Sequence, residues 1–299
     1  MFFRVFFLFI LNGITFTMKV ILADVLGYCM GVRRAVEIAA DSLENCGSKK
    51  VYSFGPLIHN RIALENLAKN GLSVLEEKQI PFTEKGSLVI IRAHGVPPVV
   101  LKKLSDSGCH ILNATCPRVL ASQKNAEKYA KLGYTVILAG DSNHGEVAGI
   151  SGYAGENFVL VQNKDEAEKL PPFSDGQNAV LLCQTTFSKE EFSQIVERLS
   201  KKIKNLKVLN TICSATKERQ DALKRLCPKV EGILVVGGKN SANTRRLLQI
   251  AEENCPKAAL IETADEIPEE FFALESVGIT AGASTPNSVI EKVVAALEN

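Results

Sequence analysis

Short apolar runs rich in β-branched residues alternate along the chain with longer segments whose apolar residues recur every three or four positions. The first pattern predicts β-strands and the second predicts amphipathic α-helices. The predicted strands cover residues 20–23, 51–54, 88–91, 135–139, 158–161, 179–183, 207–209, 233–236, 259–261 and 277–280. The predicted helices cover residues 31–45, 60–69, 97–107, 117–132, 189–204, 214–226, 242–254 and 287–298. Nearly continuous apolar strands that alternate with helices are typical of parallel sheets covered on both faces, so the predicted fold class is α/β.

A cysteine directly precedes a predicted helix at three places, Cys29, Cys116 and Cys213. The separations are 87 and 97 residues, about the size of one small α/β module each. We therefore expect three similar modules that present their thiols to a common centre. The predicted division is a leader at 1–17 and domains at 18–115, 116–210 and 211–299.

Three thiolates without a fourth suit either of two metal sites. They can hold a zinc ion with an open position, or an iron–sulfur cluster in which one iron has no protein ligand. The alternative is three unrelated buried cysteines, which is the usual environment of an unpaired cysteine. Spacing alone does not separate these interpretations.

Polar loops follow several predicted strands and open the next helix. They lie at 94–97, 141–146, 185–188, 239–244 and 284–287. In open parallel sheets, ligands bind beyond the carboxyl ends of the strands, and helix N-termini there suit a phosphate group. One such loop is explained by helix capping alone, whereas five together favour an anion site.

Three of the four histidines, His59, His94 and His144, stand at such strand ends, which indicates an anion or proton-transfer site. Glu146 lies two residues after His144, so both side chains can reach one ligand. A carboxyl group near a bound phosphate holds its proton more readily and can donate it. The absence of a GxxxxGK[ST] loop leaves a nucleotide triphosphatase without support.

Composition narrows the class of protein further. The 299 residues carry 35 basic and 33 acidic side chains, 6% aromatic residues and no tryptophan, which argues against a nucleic-acid-binding protein. Eight dispersed cysteines without a CxxC pair favour a reduced, cytoplasmic protein over a disulfide scaffold. The apolar segment at 1–16 is shorter than the ~20 residues of a membrane helix and lacks a signal-peptide cleavage site. We expect Met18 to be the true start, with export as the alternative and no membrane association.

Nine ordered motifs between about residues 19 and 298 together resemble the 4-hydroxy-3-methylbut-2-enyl diphosphate reductase family. They are GYCMGVRRAV at 27–36, GPLIHN at 55–60, RAHGV at 92–96, ATCP at 114–117, GDSNHGE at 140–146, QTT at 184–186, NTICSAT at 210–216, KNSANT at 239–244 and AGASTP at 281–286. One departure is Ala242, where the family commonly has a second serine.

The resemblance implies a trefoil of three α/β domains around a [4Fe–4S] cluster held by Cys29, Cys116 and Cys213, whose fourth iron binds the substrate's hydroxyl oxygen. Glu146 is the implied proton source, and Thr185 is favoured over Thr186 as the threonine near the substrate hydroxyl. The residues that match the family's diphosphate-binding set are His59, His94, His144, Ser241, Asn243 and Ser284.

The implied reaction reduces the allylic diphosphate substrate to isopentenyl and dimethylallyl diphosphates. Its electrons come from an external one-electron donor protein that is flavodoxin- or ferredoxin-like. Two competing interpretations are a zinc or Cys–His hydrolase that acts on a phosphorylated small molecule, and a small-ligand sensor without turnover. Metal analysis and a turnover assay under reducing conditions distinguish them.

Overall fold

The computed structural model describes residues 9–11, 14–16, 18–174 and 176–298. The strands are β1 Phe9–Leu11, β2 Ile14–Phe16, β3 Lys19–Leu22, β4 Val51–Phe54, β5 Ser73–Leu75, β6 Leu88–Ile91, β7 His110–Asn113, β8 Thr135–Ala139, β9 Phe158–Val161, β10 Asn178–Cys183, β11 Asn205–Val208, β12 Gly232–Val236, β13 Lys257–Ile261 and β14 Ser276–Ala281. The α-helices are α1 Met30–Asn45, α2 Arg61–Lys69, α3 Pro98–Asp106, α4 Pro117–Lys131, α5 Gly145–Ala154, α6 Lys164–Lys169, α7 Lys189–Lys202, α8 Ser214–Leu226, α9 Ala242–Asn254 and α10 Asn287–Glu298.

Every predicted strand and helix is present, with its ends shifted by at most two residues. Six further elements were missed, namely β1, β2, β5, β7, α5 and α6. The strands β5 and β7 are edge strands with exposed residues, so they lack the continuous apolar run of a central strand. Helix α5 contains three glycines and no apolar stripe, and α6 is short and polar.

Three parallel sheets of four strands, within the described residues, confirm the α/β class. From edge to edge their orders are β5-β4-β6-β7, β9-β8-β10-β11 and β13-β12-β14-β3. The strand in the last position of each sheet is the one that leads into a candidate cysteine. In the third sheet this last strand is β3, which comes from the N-terminal part of the chain, whereas the other three strands lie between residues 232 and 281.

The described residues form two compact units. The first draws on the described residues within 1–32, 59–66 and 214–299, and it contains the sheet of β12, β13, β14 and β3. The second draws on residues 33–58 and 67–213, and it contains the other two sheets. The three-domain division stays a prediction, but residues 19–22 pair with β14 rather than with the sheet of 51–113.

Central strands are buried on both faces in each unit. In β12, Ile233 and Val235 pack into one apolar cluster while Leu234 and Val236 pack into another. The strands β8 and β10 divide their side chains between two clusters of the second unit in the same way. Because a strand that is packed on both faces cannot slip its register, the loops at its carboxyl end start from fixed positions.

The N-terminal residues add a small element of their own, since β1 and β2 pair as antiparallel strands. The expectation that 1–17 precede the true start concerns residues that largely lie outside the described ones. No helix in the described part of the chain combines the length and the apolar run that crossing a bilayer requires.

Candidate functional site

One backbone hydrogen bond anchors each of the three candidate cysteines in the same way. Each cysteine directly precedes a helix, and its N–H donates to the carbonyl oxygen of the residue two positions beyond a central strand. The three bonds are Cys29 to Ala283 at 3.1 Å, Cys116 to Ala93 at 2.9 Å and Cys213 to Thr185 at 2.8 Å. The strands concerned, β14, β6 and β10, occupy the same position in their sheets. The sequence repeat therefore corresponds to a repeat of local structure.

The side chains of these cysteines fit metal ligation. All eight cysteines lie within the described residues, and none forms a disulfide. Cys29, Cys116 and Cys213 are partly exposed, whereas Cys183, Cys227 and Cys255 are buried. The helices that follow Cys29, Cys116 and Cys213 carry no acidic residue in their first turns, so the positive end of each helix dipole is unopposed there. Three such sulfurs match the donor set of an iron–sulfur cluster or of a zinc ion.

Glu146 is held by two hydrogen bonds from one residue. Its side chain is 1% exposed, and its two carboxyl oxygens accept from the Thr185 N–H at 2.8 Å and from the Thr185 Oγ1 hydroxyl at 2.7 Å. The residues are 39 positions apart, but β8 and β10 pair in parallel with Ala139 opposite Cys183. The loops that follow these strands therefore start side by side.

Burial raises the pKa of Glu146 to about 7, because the charged form loses its hydration. The two hydrogen bonds from Thr185 oppose this rise, since they favour the charged form. Near neutral pH the carboxyl group is therefore partly protonated and partly ionised, which is the balance that suits a proton donor. The sequence predicted a carboxyl group that holds its proton; the structure assigns the cause to burial.

His144 and His94 lie together in the second unit. His144 caps α5, and its Nδ1 accepts a hydrogen bond from the Glu146 N–H at 3.2 Å. In the neutral ring the proton is then on Nε2, which can donate to a bound anion. The rings of His94 and His144 meet edge to face with their centroids 5.2 Å apart.

His59 and Ser284 lie together in the first unit. The Ser284 hydroxyl donates to the His59 carbonyl oxygen at 2.9 Å and so fixes the backbone of this segment. Gly238 approaches the same oxygen closely, since a Cβ placed on it would lie 2.7 Å away. In this arrangement Ser284 fixes the backbone at His59. To donate to a diphosphate oxygen its hydroxyl must turn away from that carbonyl, because a hydroxyl group has a single proton.

Helix α9, in the first unit, begins with the remaining two predicted anion ligands. Ser241 caps the helix, with its Oγ accepting from the Thr244 N–H at 3.3 Å, so the hydroxyl proton stays available. Asn243 is 5% exposed, and neither its Nδ2 nor its Oδ1 has a partner among the described residues. A buried amide without partners is costly, so this side chain is suited to a polar ligand at the helix N-terminus.

The QTT segment distinguishes its two threonines. Thr185 contacts Glu146, whereas the Thr186 hydroxyl accepts from Gln184 Nε2 at 2.9 Å. Gln184 Oε1 in turn accepts from the Asp141 N–H at 2.9 Å and so ties together the loops after β8 and β10. The contact between Thr185 and Glu146 agrees with the choice of Thr185 over Thr186, and the role of Thr185 stays a prediction.

Sequence reasoning missed Arg92 and Gln184 as residues that shape the site. Both directly follow a central strand, at the position where ligands of parallel sheets bind, and both lie in motifs that the sequence singled out. Their position was the available signal. The neighbouring sequence shows neither a charged partner nor a helix cap for these two residues. Their contacts are with other loops, so only the fold reveals them.

Comparison with known proteins identifies the family of the chain. The family model described as LytB protein matches residues 20–298. The 4-hydroxy-3-methylbut-2-enyl diphosphate reductase of Treponema denticola is 47% identical over 91% of this chain and 96% of its own length. The protein of the same name from Caldanaerobacter subterraneus is 40% identical over 93% of this chain and 96% of its own length.

Solved structures agree. The E-1-hydroxy-2-methyl-but-2-enyl-4-diphosphate reductase from Plasmodium falciparum superposes with a TM-score of 0.87 at 29% identity, over 94% of this chain and 88% of that one. A structure described as (E)-4-hydroxy-3-methyl-but-2-enyl diphosphate reductase, the terminal enzyme of the non-mevalonate pathway, gives 0.70 at 38% identity, over 93% and 98%. By sequence and by fold, the chain belongs to the LytB family.

Proposed function

We propose that this chain reduces (E)-4-hydroxy-3-methylbut-2-enyl diphosphate to isopentenyl and dimethylallyl diphosphates. The substrate takes up two electrons and two protons, its C–O bond breaks, and the hydroxyl group leaves as water. The proposal is supported by family membership and by relatives of that name at 39–47% identity over most of the chain.

The observation that carries the proposal is the repeated environment of Cys29, Cys116 and Cys213. We assign these residues as the three protein ligands of a [4Fe–4S] cluster. When bound, such a cluster supplies Lewis acidity at its open iron and transfers electrons one at a time. The backbone hydrogen bond at each cysteine limits the movement of the residue that carries the sulfur ligand.

The diphosphate is assigned to the six residues that match the family's diphosphate-binding set. His94 and His144 provide ring N–H donors, while Ser241 and Asn243 provide a hydroxyl and an amide at the start of α9. His59 and Ser284 complete the set. The positive ends of α5 and α9 favour the anion further.

Glu146 is assigned as the proton donor, with Thr185 as its partner near the substrate hydroxyl. A pKa of about 7 keeps a large share of the carboxyl group protonated at neutral pH. The Thr185 hydroxyl lies within hydrogen-bond distance of the carboxyl group, so these two residues can pass a proton between them toward the substrate oxygen.

The electrons are assigned to an external one-electron carrier protein of flavodoxin or ferredoxin type. We infer a cytoplasmic location, because eight cysteines without a disulfide suit a reducing compartment.

Anaerobic turnover tests the function. Protein purified without oxygen is mixed with a chemical one-electron reductant and the diphosphate substrate, and the products are identified by mass spectrometry, with Glu146→Gln as the matched low-activity control. We expect both isoprenoid diphosphates and a stoichiometric consumption of electrons. Phosphate release without reduction would support the hydrolase instead, and tight binding without turnover would support the sensor.

A further inference from the structure

Arg92 is a partly buried cation that has no counter-ion in the described part of the chain. It directly follows β6, and burial lowers the pKa of its guanidinium below the usual value, with no compensating charge. Within residues 18–174 and 176–298, no carboxylate pairs with it, and its Nε donates a hydrogen bond to the Gly95 carbonyl oxygen at 3.5 Å. A charge that is partly removed from water and left unpaired is costly, so the fold retains this cation at the expense of stability.

Three loops of the second unit meet at this guanidinium, each through a glycine. A Cβ placed on Gly55 would lie 2.8 Å from Nη1, and a Cβ placed on Gly145 would lie 2.8 Å from Nη2. The third contact is the carbonyl of Gly95. In sequence, Gly95 follows His94, and Gly145 lies between His144 and Glu146. The guanidinium therefore occupies space that a side chain at Gly55 or at Gly145 would fill.

The location of the cation is unfavourable for the helix that it adjoins. Gly145 is the first residue of α5, and a positive charge at a helix N-terminus opposes the helix dipole. Among the described residues no ion pair joins Arg92 to Glu146, whose carboxyl oxygens accept from Thr185. The helix end and the guanidinium thus add their positive potentials at one place, which suits a strongly charged anion.

We propose that Arg92 is a positioning residue for the diphosphate that holds the loops of His94 and His144 and lends the site an uncompensated positive charge. This inference rests on the function proposed above. It assigns a role that the diphosphate ligands themselves do not fill, because they are neutral donors or titratable rings whereas Arg92 stays charged at every working pH.

The test uses the anaerobic holoenzyme and inorganic pyrophosphate as the probe, with affinity measured by calorimetry at low and high salt. The variants are Arg92→Met, which keeps the chain length, and Arg92→Lys, which keeps the charge. The matched control is Arg198→Met, which removes the same charge in the same unit where Glu168 already pairs with it at 3.6 Å. Cluster absorbance and thermal unfolding are recorded for each protein.

We expect Arg92→Met to weaken pyrophosphate binding about tenfold or more at low salt, as for a unit charge at about 10 Å and an effective dielectric constant of about 20. The loss should shrink at high salt, because salt screens the interaction. Arg92→Lys should stay within about threefold of the wild type, and Arg198→Met should be unchanged. Unchanged binding in Arg92→Met, or equal losses in the Lys and Met variants, would overturn the role of the charge. If Arg92→Met does not fold, a tenfold loss in Arg92→Lys overturns it.

Gly145→Ala gives a second, independent readout. Alanine favours the helix more than glycine does, so the temperature of thermal unfolding should not fall. The added Cβ must nevertheless displace the guanidinium. We expect weaker pyrophosphate binding in Gly145→Ala and no further loss when Arg92→Met is added, because both changes remove the same contribution. Additive losses would contradict the inference. A wild type that binds pyrophosphate without reducing the substrate refutes the proposed reaction but leaves the Arg92 comparison valid.

Discussion

Replacing Thr185 by valine removes one of the two hydrogen bonds that Glu146 accepts and leaves the other in place. The Thr185 hydroxyl lies 2.7 Å from one carboxyl oxygen, and the Thr185 N–H lies 2.8 Å from the other. Both bonds favour the charged carboxylate, whereas burial favours the neutral acid and is the larger effect. Valine has nearly the shape of threonine, so the change acts mainly on this balance.

The size of the effect follows from the hydrogen bond that is lost. A hydrogen bond to a charged acceptor contributes about 1.5–3 kcal/mol, and one pKa unit corresponds to about 1.4 kcal/mol. Loss of the hydroxyl should therefore raise the pKa of Glu146 by about one to two units above the value of about 7 that it has in the wild type. Because a proton donor works in its protonated form, activity should persist to higher pH in the variant.

The assay is the pH dependence of kcat under saturating substrate, with anaerobic holoenzyme and an excess of a chemical reductant. The wild-type rate should fall above a pH of about 7, and that of Thr185→Val should fall at a pH about one to two units higher, from a lower maximum. Thr185→Ser keeps the hydroxyl and should keep the wild-type profile. A falling limb at the same pH in the valine and serine variants would refute the coupling between Thr185 and Glu146.

Two further substitutions test other parts of the site. Glu146→Gln should retain its iron while kcat falls about 10²–10⁴-fold. Because burial raises the pKa of Glu146 from the ordinary 4.5 to about 7 in the folded protein, the wild type should lose about 3 kcal/mol of stability as the pH rises through that window, and anaerobic unfolding of Glu146→Gln should show no such loss. Asn243→Ala removes a buried amide without partners, so the temperature of thermal unfolding should stay the same or rise. Calorimetry should show weaker pyrophosphate binding. A marked loss of stability would show that the amide has a structural role.

Hydrophobic patterning predicts the fold where strands are buried on both faces. The strands β6, β8 and β12 stand out because nearly every residue in them is apolar and inaccessible to water. Edge strands give a weaker signal, and β5 exposes Ser73 and Val74, so its run is indistinguishable from a loop. Helix α5 was missed for another reason. Its glycines, at 145, 149 and 152, pack closely against Arg92, Gln123 and Pro97, so the helix has no amphipathic pattern that the sequence could show.

Pairing between distant segments is what the sequence could not provide. The N-terminal strand β3 joins β14 because its apolar residues, Val20 among them, pack with Val277 and Ile279 in one cluster. Nothing local to residues 19–22 specifies that partner. The same holds for the Glu146–Thr185 contact, which depends on the parallel register of β8 and β10. Candidate chemistry was thus visible residue by residue, while the environment that tunes it, above all the burial of Glu146, required the fold.

The central claim is that Cys29, Cys116 and Cys213 act as equivalent ligands of one cofactor. Its most direct test is iron and acid-labile sulfide analysis of anaerobically purified protein and of each cysteine-to-serine variant. Cys46, a partly exposed cysteine near the end of α1, provides the matched control. We expect about four iron and four sulfide per chain in the wild type and in Cys46→Ser, and a similar, severe loss in each of the three ligand variants. Full iron content in any one of those three, or zinc in place of iron in the wild type, would contradict the account.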